Sequence, residues 1–376
     1  MNAIYKINIM YKQNEYSNLT NNKINGKNKN KIGGKFQTVV YIFLFAIILY
    51  LFLKYNKLKY YSKELENQLI NINENISNNN VKIIEKYIKD ISLQLYIENR
   101  TEYYIKGRQE IMKNVGSNYN DSNVKTFQDK LNWLLVHESP EQKYNIVDKI
   151  LLRKYSEKIL GKNICVPIIK IYKEAEEINI NDLPDKFVLK CNHGSGMNII
   201  CENKTQFNIT DAKLKLNEWM KINYGLFSNE YQYIHVKRKI FAEIFLMNNL
   251  IEYKFYCFNG SPKLIKAQTP YYTGNFKVYH YYDLNWTITD IETKLPGNVK
   301  LSTVKFQRPK HLKLMIEYAK KLSQNYAFVR VDLYEFNDTV YLSELTFTPA
   351  NAISPYRDQK QRMYLGNLLD ISKVKK

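Results

Sequence analysis

The segment at residues 328–350, FVRVDLYEFNDTVYLSELTFTPA, restricts the possible folds more than any other part of the chain. Apolar residues alternate with polar ones on both sides of its Asn-Asp dipeptide, which predicts strands at 327–335 and 339–347 joined by a tight turn. Arg330 and Asp332 are two residues apart and therefore share one strand face. Glu344 and Thr346 share a face of the partner strand in the same way.

Two carboxylates on paired strands, with hydroxyl and carbonyl oxygens nearby, are ligands that suit Mg²⁺ beside substrate phosphates. The arginine next to them would neutralise charge on a transferring phosphoryl group. The alternative is an ordinary ion pair between two strands at the protein surface. That alternative fits the sequence poorly, because the flanking residues are mostly apolar.

A second motif, LKCNHGSG at residues 189–196, places a lysine, two glycines and a serine between two apolar runs. The pattern predicts a hairpin whose tip exposes backbone N–H groups, because glycine adopts positive φ freely. Successive N–H groups of this kind bind anions, and Lys190 at the end of the first strand adds positive charge. An ordinary hairpin with a surface lysine is the alternative.

Two further candidates place charged residues beside apolar segments. In DKILLRKY, Lys149 and Arg153 are four residues apart and would share one face of a helix. In RKIFAEIFL, Glu243 lies inside an apolar strand, and a buried carboxylate must find a donor because its burial alone is costly. A ligand's amino or hydroxyl group and a neighbouring basic residue are both open as its partner.

The N-terminal third of the chain differs in composition from the rest. Residues 1–35 are polar and rich in Asn and Lys, which is typical of a disordered basic tail. Residues 36–53, FQTVVYIFLFAIILYLFL, carry no charge and are about as long as the shortest membrane-spanning helices. We expect a single transmembrane helix there, with a buried soluble helix as the alternative. Residues 54–115 predict a helical stalk with heptad-like spacing, which would either self-associate as a coiled coil or pack on the globular domain.

From residue 124 the sequence predicts a mixed α/β domain, of α+β type, that extends to about residue 370. Helical spacing appears at 125–136, 144–159 and 309–323. Strand-like runs appear at 166–172, 187–201, 239–246, 252–258, 262–268 and 276–282, before the hairpin. The four cysteines, Cys165, Cys191, Cys201 and Cys257, have no CxxC spacing, so buried thiols are favoured over a disulfide or a metal site.

The chain has 376 residues and a formal net charge of +20. Such a charge can indicate binding to nucleic acid or to an anionic membrane surface. Lysine is spread along the whole chain, however, and no nucleic-acid-binding motif accompanies it. We therefore expect no nucleic-acid partner.

In order and spacing, six motifs of the domain resemble the TupA-like ATP-grasp family, which is named from teichuronopeptide biosynthesis. These motifs are DKILLRKY, LPDKFVLKCNHGSGMNII, FAEIFL, EYKFYCFNG, VRVDLYE and SELTFTP. The resemblance covers roughly residues 124–370 and implies an ATP-grasp fold, preceded here by the transmembrane helix and the stalk. It also implies ATP and Mg²⁺ as cofactors, and a reaction in which a carboxylate is activated as an acyl phosphate and passed to an amine.

The resemblance further implies roles for particular residues. Lys149 and Lys190 correspond to the two nucleotide lysines and Arg330 to the arginine near the transferred phosphate, so that Lys190 and Arg330 would be catalytic. The phosphate-covering loop corresponds to His193, Gly194, Ser195 and Gly196. The adenine-side segment corresponds to Glu243, Ile244, Phe245 and Leu246. The metal ligands correspond to Asp332, Glu344 and Thr346, the last of which replaces the asparagine of general ATP-grasp ligases.

The resemblance favours a membrane-anchored ATP-dependent carboxylate–amine ligase that acts on a cell-surface or lipid-linked polysaccharide. Its substrates would be a polysaccharide or glycan-linked acceptor and a small carboxylate or amine, and the stalk would allow a homo-oligomer. A glycan kinase or glycosyltransferase-like enzyme and a non-catalytic nucleotide-binding scaffold are the alternatives. The tyrosine-rich stretches at 271–272 and 280–282 are candidates for stacking on sugar.

The side of the membrane on which the domain lies does not follow from charge. Lysines flank the predicted transmembrane helix at both ends, so the positive-inside rule does not orient it. The reaction requires ATP, for which the cytosol is the richest source, and this favours a cytosolic catalytic domain. A lumenal catalytic domain is the alternative.

Overall fold

The computed structural model describes residues 100–374, apart from 115–118, 139–140, 248–249, 274–275, 296–299 and 355. All described residues belong to one compact unit, Leu93–Lys376. The predicted basic tail, the predicted transmembrane helix and the predicted stalk up to residue 99 lie outside the described residues. Within the described ranges, no helix has the length and apolar character needed to span a membrane.

The helices of this unit lie before, between and after the strands. They are α1 (Arg100–Asn114), α2 (Phe127–His137), α3 (Glu141–Val147), α4 (Leu152–Leu160), α5 (Ile209–Lys221), α6 (Tyr224–Ser228), α7 (Leu312–Ser323) and α8 (Gln359–Leu368). Short 3₁₀ turns occur at Ala175–Glu177, Ile180–Asp182, Lys204–Gln206, Tyr231–Tyr233 and Pro349–Ala352.

The strands of the described residues form two sheets. They are β1 (Ile168–Tyr172), β2 (Phe187–Cys191), β3 (Asn198–Cys201), β4 (Ile240–Ile244), β5 (Glu252–Phe258), β6 (Ser261–Thr273), β7 (Phe276–Tyr282), β8 (Lys300–Leu301), β9 (Phe328–Phe336) and β10 (Thr339–Thr346). The four-stranded sheet has the order β1-β4-β2-β3 and the six-stranded sheet the order β10-β9-β5-β6-β7-β8. Neighbours are antiparallel except β7 and β8, which are parallel. This is the α+β arrangement that the sequence predicts.

The sequence at 144–159, predicted as one helix, forms the two helices α3 and α4. Asp148 causes the interruption, because its Oδ1 accepts hydrogen bonds from the backbone nitrogens of Ile150 and Leu151 at 2.8 and 3.2 Å. A side chain that binds its own backbone in this way competes with the helical ladder. Lys149 therefore lies in the break between the helices and Arg153 in α4, rather than both on one helix face.

Strand β9 separates the main apolar core from a polar face. Val329, Val331 and Leu333 are fully buried and belong to the core that also contains the apolar side of α7. Arg330 and Asp332 alternate with them and therefore point to the opposite face of the six-stranded sheet. At the hairpin turn, the two central residues have φ values of 47° and 58°, as a tight turn at the predicted Asn-Asp dipeptide requires.

The four-stranded sheet has a core of its own. Phe187 and Leu189 of β2 and Ala242 of β4 are fully buried there, together with Ala212 and Leu216 of α5. The four cysteines are free and buried, as the sequence predicts.

Helix α1 lies in the segment that the sequence assigns to the stalk, and it packs on the globular domain. Tyr104 and Arg108 are 0% exposed, and the ring of Tyr104 stacks on that of Tyr231. Arg108 Nε donates to Asn132 Oδ1 at 2.5 Å, and its Nη1 donates to Asn351 Oδ1 at 2.7 Å. The described end of the predicted stalk is therefore an integral helix of the domain.

Candidate active site

A polar cavity of about 510 Å³ is lined by residues from both sheets. From β2, β3 and the loop between them come Lys190, Ser195, Gly196, Met197 and Asn198. The six-stranded sheet contributes Glu252, Lys254, Arg330, Ser343, Glu344 and Thr346. Helices and loops contribute Lys149, Tyr224, Glu230, Tyr233, Thr348, Ala350 and Asn351. Motifs that are far apart in the sequence thus converge on one cavity.

Lys149 and Lys190 place two ammonium groups at this cavity. Lys149 Nζ donates to the carbonyl of Gly194 at 2.5 Å, and Lys190 Nζ forms an ion pair with Glu243 Oε1. Burial lowers the pKa of Lys149, and the nearby Glu344 partly offsets this effect. The wall is therefore positively charged beside the β2–β3 loop, as binding to a phosphate group requires.

Gly194 and Gly196 of the β2–β3 loop are required to be glycine for different structural reasons. Gly196 has a φ of 73°, a conformation that residues with a side chain rarely adopt. At Gly194 an added Cβ would lie 2.8 Å from the ring of Tyr224, so glycine allows this ring to pack directly against the loop. Ser195 and Gly196 line the cavity, whereas Gly194 contributes the carbonyl that Lys149 contacts.

His193 does not reach the cavity, in contrast to the predicted phosphate-covering role. It is 1% exposed, and its Nε2 lies 3.1 Å from the carbonyl oxygen of Trp219, to which it donates. Its Nδ1 has no hydrogen-bond partner among the described residues. Burial lowers the pKa of His193 to about 4. The side chain is therefore a neutral, buried group that faces α5.

Glu243 is buried on β4 and pairs with two basic side chains. Its Oε1 pairs with Lys190, and its Oε2 lies 3.6 Å from Arg153 Nη2. Of the two open alternatives, neighbouring basic residues are therefore its partners. The described residues that line the cavity do not include the predicted adenine-side segment, Glu243, Ile244, Phe245 and Leu246. Glu243 instead fixes the ammonium group of Lys190, which does line the cavity.

The β9–β10 hairpin provides the charged centre of the cavity. Arg330 donates two hydrogen bonds to Asp332, from Nε to Oδ1 at 2.7 Å and from Nη2 to Oδ2 at 2.6 Å. The same Nη2 lies 3.2 Å from both Glu344 Oε1 and Thr346 Oγ1. Asp332 is opposite Glu344 in the ladder, and Arg330 is opposite Thr346. The structure thus brings these four predicted site residues together.

The two predicted metal carboxylates have different surroundings. Asp332 is 0% exposed, and both its oxygens accept hydrogen bonds, from Arg330 and from Lys254 Nζ at 2.8 Å. The Glu344 side chain is 27% exposed and lines the cavity with Thr346. Within the part of the chain that the structure describes, no cluster of three or more His, Cys, Asp or Glu side chains is arranged to hold a metal ion. Glu344 is therefore the carboxylate of the pair that is open to a ligand.

Two residues of β5, Glu252 and Lys254, complete the charged centre, and neither is among the site residues predicted from the sequence. Lys254 Nζ lies 2.8 Å from Asp332 and 3.1 Å from Glu252. Glu252 also accepts hydrogen bonds from Gln268 Nε2 at 2.8 Å and from the Tyr334 hydroxyl at 2.9 Å. The sequence does carry a signal for these two residues. In EYKFYCFNG the two charged residues are two apart, so they share one face of a strand.

The basic residues control the charge of Glu344. Burial raises the pKa of Glu344, but Lys149, Arg330 and Lys254 together outweigh burial and lower the pKa to about 2. Burial lowers the pKa of Arg330, but Asp332, Tyr256 and Glu344 together outweigh burial, so that the pKa of Arg330 lies well above its ordinary value. Both side chains are therefore charged at neutral pH.

The cavity wall also contains Glu230, a buried carboxylate that is not among the site residues predicted from the sequence. Glu230 is 6% exposed, and its Oε1 accepts a hydrogen bond from Thr348 Oγ1. Thr348 Oγ1 in turn accepts from Gln232 Nε2 at 2.8 Å. The hydroxyl of Tyr224 interacts with both Glu230 and Ser195. Glu230 therefore adds a carboxylate to this part of the cavity wall, and Tyr224 connects it to the β2–β3 loop.

The loop that follows β10 completes this wall in an unusual backbone conformation. Ala350, Asn351 and Ala352 have φ values of 48°, 54° and 57°, and none of them is glycine. Such a conformation costs on the order of 1 kcal/mol or more per residue and persists only where the surroundings enforce it. Arg108 of α1 supplies that enforcement, because it donates to both the side chain and the carbonyl oxygen of Asn351.

The tyrosines proposed to stack on sugar are not available for that role where the structure describes their side chains. Tyr281 and Tyr282 are buried in the two cores that border the six-stranded sheet. His280 is half-buried, and its Nε2 lies 2.8 Å from the carbonyl oxygen of Val304. The side chains of residues 271–272 lie outside the described ones.

Comparison with known protein families identifies the domain. A family model described as TupA-like ATP-grasp matches residues 129–370, which is more than half of the chain. The chain belongs to the TupA-like ATP-grasp family. It is thus a member of an ATP-grasp ligase family, and ATP-grasp ligases use ATP and Mg²⁺. The match lies within the region predicted from the six motifs. No curated protein sequence matches the chain.

Solved structures of ATP-grasp ligases resemble this chain remotely. D-alanine–D-alanine ligase from Bacillus anthracis, complexed with ATP, has 13% identity and a TM-score of 0.30, with 64% of this chain and 61% of that chain covered. The D-alanine–D-alanine ligase from Helicobacter pylori has 17% identity and a TM-score of 0.36, with coverage of 65% and 67%. D-alanyl-alanine synthetase A from Vibrio cholerae has 13% identity and a TM-score of 0.38, with coverage of 60% and 65%.

Proposed function

We propose that this protein is a membrane-anchored, ATP-dependent carboxylate–amine ligase that modifies a cell-surface or lipid-linked polysaccharide. The observation that carries the proposal is the cavity in which Lys149, Lys190 and Arg330 meet the carboxylate of Glu344. Cationic side chains together with a carboxylate suit the phosphates of a nucleotide and the metal ion that accompanies them. These four residues all lie within the sequence motifs of the family.

The residues of the cavity fit ATP and Mg²⁺. Lys149, Lys190 and the backbone N–H groups around Gly196 would hold the phosphates. Glu344, which is ionised because its pKa is about 2, would hold the metal ion together with Thr346. Asp332 would join them only if Arg330 or Lys254 released one of its oxygens. The metal ion supplies neutralisation of phosphate charge and polarisation of a phosphoryl oxygen.

The side chains of the protein itself supply fixed charge at the reacting centre. Arg330 is held by two hydrogen bonds to Asp332, so that its guanidinium cannot turn away from Glu344 and Thr346. Charge that is already oriented stabilises a transition state without a cost of reorganisation. In the proposed reaction a substrate carboxylate becomes an acyl phosphate, and an amine then displaces the phosphate to form an amide.

The polysaccharide substrate and the membrane anchor rest on the sequence. The family takes its name from teichuronopeptide biosynthesis, and the resemblance implies a cell-surface or lipid-linked polysaccharide as the substrate. The uncharged segment at 36–53 would hold the enzyme at the membrane where a lipid-linked polymer is available. We place the catalytic domain in the cytosol, because ATP is most abundant there.

The experiment is a measurement of ADP release by the full-length protein in detergent micelles, with Mg²⁺ and ATP. Sugar acids and amino acids are combined pairwise with amines and glycan amines. We expect ADP and phosphate to appear only when both a carboxylate and an amine are present. Lys190→Ala should weaken ATP binding measured by calorimetry, since it removes one of the two ammonium groups. Glu218→Gln, which changes a side chain that is 70% exposed, is the control.

Two other outcomes would contradict the proposal. Phosphate that remains covalently attached to the glycan would indicate a kinase. ATP binding without ADP release from any pair of substrates would indicate a scaffold.

A further inference from the structure

The three carboxylates that line the cavity differ in their partners. Glu252 is paired with Lys254, and Glu344 is paired with Arg330 at 3.2 Å and with Lys149 at 4.0 Å. Glu230 has no ion-pair partner among the described residues, although it is 6% exposed. A buried carboxylate without an ion-pair partner is costly, and Glu230 lines the cavity, where a cationic ligand would offset that cost.

The groups around Glu230 satisfy its hydrogen bonds but not its charge. Thr348 donates to its Oε1, and the hydroxyls of Tyr224 and Ser228 also interact with it. These donors are neutral. Arg108 acts on Glu230 through its charge, but its guanidinium donates to Asn132 and Asn351 instead.

The position of Glu230 relates it to the reacting centre. Tyr224 and Tyr233 line the cavity, and both are influenced electrostatically by Glu230 and by Glu344. Glu230 therefore lies within electrostatic range of the groups around Glu344, but it differs from Glu344 and Glu252 in having no ion-pair partner among the described residues. Anionic phosphates suit the lysines and Arg330, whereas an amine suits Glu230.

We propose that Glu230 binds the amino group of the acceptor substrate as an ammonium ion and accepts its proton. The inference rests on the proposed ligase function and identifies the residue that would bind the amine. Once Glu230 has taken the proton, the amine nitrogen forms a bond to the acyl carbon. The bond between that carbon and the phosphate oxygen breaks, the phosphate leaves with the electron pair, and a second N–H proton passes to it. Burial raises the pKa of Glu230, which makes its carboxylate a better proton acceptor.

The first experiment measures amine binding and does not depend on turnover. The melting temperature of the full-length protein is measured with ethanolamine, glycine methyl ester or glucosamine, and with the N-acetyl derivative of each. A ligand that binds the folded state raises the melting temperature. We expect the free amines to stabilise the wild type and Glu218→Gln, and their acetylated forms to have no effect. Glu230→Gln should lose the response to amines, although its amide oxygen can still accept from Thr348.

Glu230→Asp is a second variant, because it keeps the charge on a shorter side chain. It should retain the preference for amines over acetylated amines, with a smaller shift in melting temperature. The proposal is overturned if no free amine stabilises the wild type, or if Glu230→Gln responds to amines as the wild type does.

The second experiment uses hydroxylamine, which is a neutral nucleophile at neutral pH and needs no proton acceptor. Wild type and Glu230→Gln should form hydroxamate from an active carboxylate at similar rates, whereas amide formation should fall at least tenfold in Glu230→Gln. Equal loss of both reactions, or of neither, would overturn the proposed role. If the wild type forms no hydroxamate from any carboxylate, the ligase function fails, and the melting-temperature experiment decides the role of Glu230 separately.

Discussion

At the scale of single residues, Glu344 and Asp332 are expected to respond differently to loss of charge. Glu344→Gln should lower turnover about 100-fold or more, since it removes the carboxylate that is open to a metal ion. Asp332→Asn should also lower the free energy of unfolding by roughly 3–5 kcal/mol, because it leaves Arg330 and Lys254 without their shared buried partner. ADP release and urea unfolding measure the two effects. An Asp332→Asn protein as stable as the wild type would contradict this assignment.

The buried imidazole of His193 should make the stability of the fold depend on pH. Its pKa in the folded state is about 4, below the ordinary value of 6.5, because burial disfavours the charged imidazole. The unfolded chain therefore binds the proton first as the pH falls, and stability is lost between pH 6.5 and about 4. The loss should be on the order of 3 kcal/mol. His193→Gln, which keeps a donor for Trp219 but does not titrate, should lack this part of the pH dependence in urea unfolding.

At the scale of elements, helix α1 is expected to be essential for the shape of the cavity. Arg108→Met should lower the free energy of unfolding by several kcal/mol, since each buried acceptor left without a donor costs roughly 1–3 kcal/mol. Lys113→Met on the same helix, where the side chain is exposed, should change it by less than about 0.5 kcal/mol. Unfolding in guanidinium chloride measures the free energy of unfolding of both variants. Equal stability of both variants would show that α1 contributes little.

Helix α1 lies before the region that the family match covers, although the domain needs it. The family match begins at residue 129 and the predicted domain at residue 124, so a fragment that starts near residue 115 looks complete from the sequence. The structure shows that such a fragment would lack Arg108 and therefore the contact that fixes Asn351. A fragment for binding studies needs to begin before Arg100.

Most strands and the hairpin site could be predicted because their signal is local. Alternation of apolar and polar residues places β5, β7, β9 and β10 within one residue of their observed bounds. Helix α5 is absent from the prediction, although Ala212 and Leu216 are four residues apart and Asn208 caps its first turn. Its charged residues and short apolar stripe make the pattern weak.

The candidate site was harder to predict where residues are paired with distant partners. The spacing in LKCNHGSG identifies a loop with a lysine, but it does not reveal that His193 turns into the core. Glu243 reads equally well as a ligand contact or an ion pair, and only the fold shows Lys190 and Arg153 beside it. Glu230 has no apolar strand around it, so its burial depends entirely on tertiary packing.

At the scale of the whole molecule, the segment at 36–53 should decide where the enzyme works. The full-length protein should sediment with membranes and resist extraction at high pH, since about 18 uncharged residues suffice to span the hydrocarbon core. A variant that lacks 36–53 should become soluble and retain ADP release. Protease added to intact cells should leave the catalytic domain uncut if it is cytosolic. Digestion of the domain under these conditions would contradict the cytosolic placement.

The left-handed run at Ala350, Asn351 and Ala352 has a consequence for directed evolution of this enzyme. Glycine at position 350 would relieve about 1 kcal/mol of backbone strain in the folded state, although it would also loosen the unfolded chain. A screen for thermostability would therefore gain little from this loop, whereas a screen for new acceptors has reason to include it, because Ala350 and Asn351 line the cavity. A more flexible wall would admit substrates of other shapes, at the cost of the single fixed conformation that Arg108 now enforces.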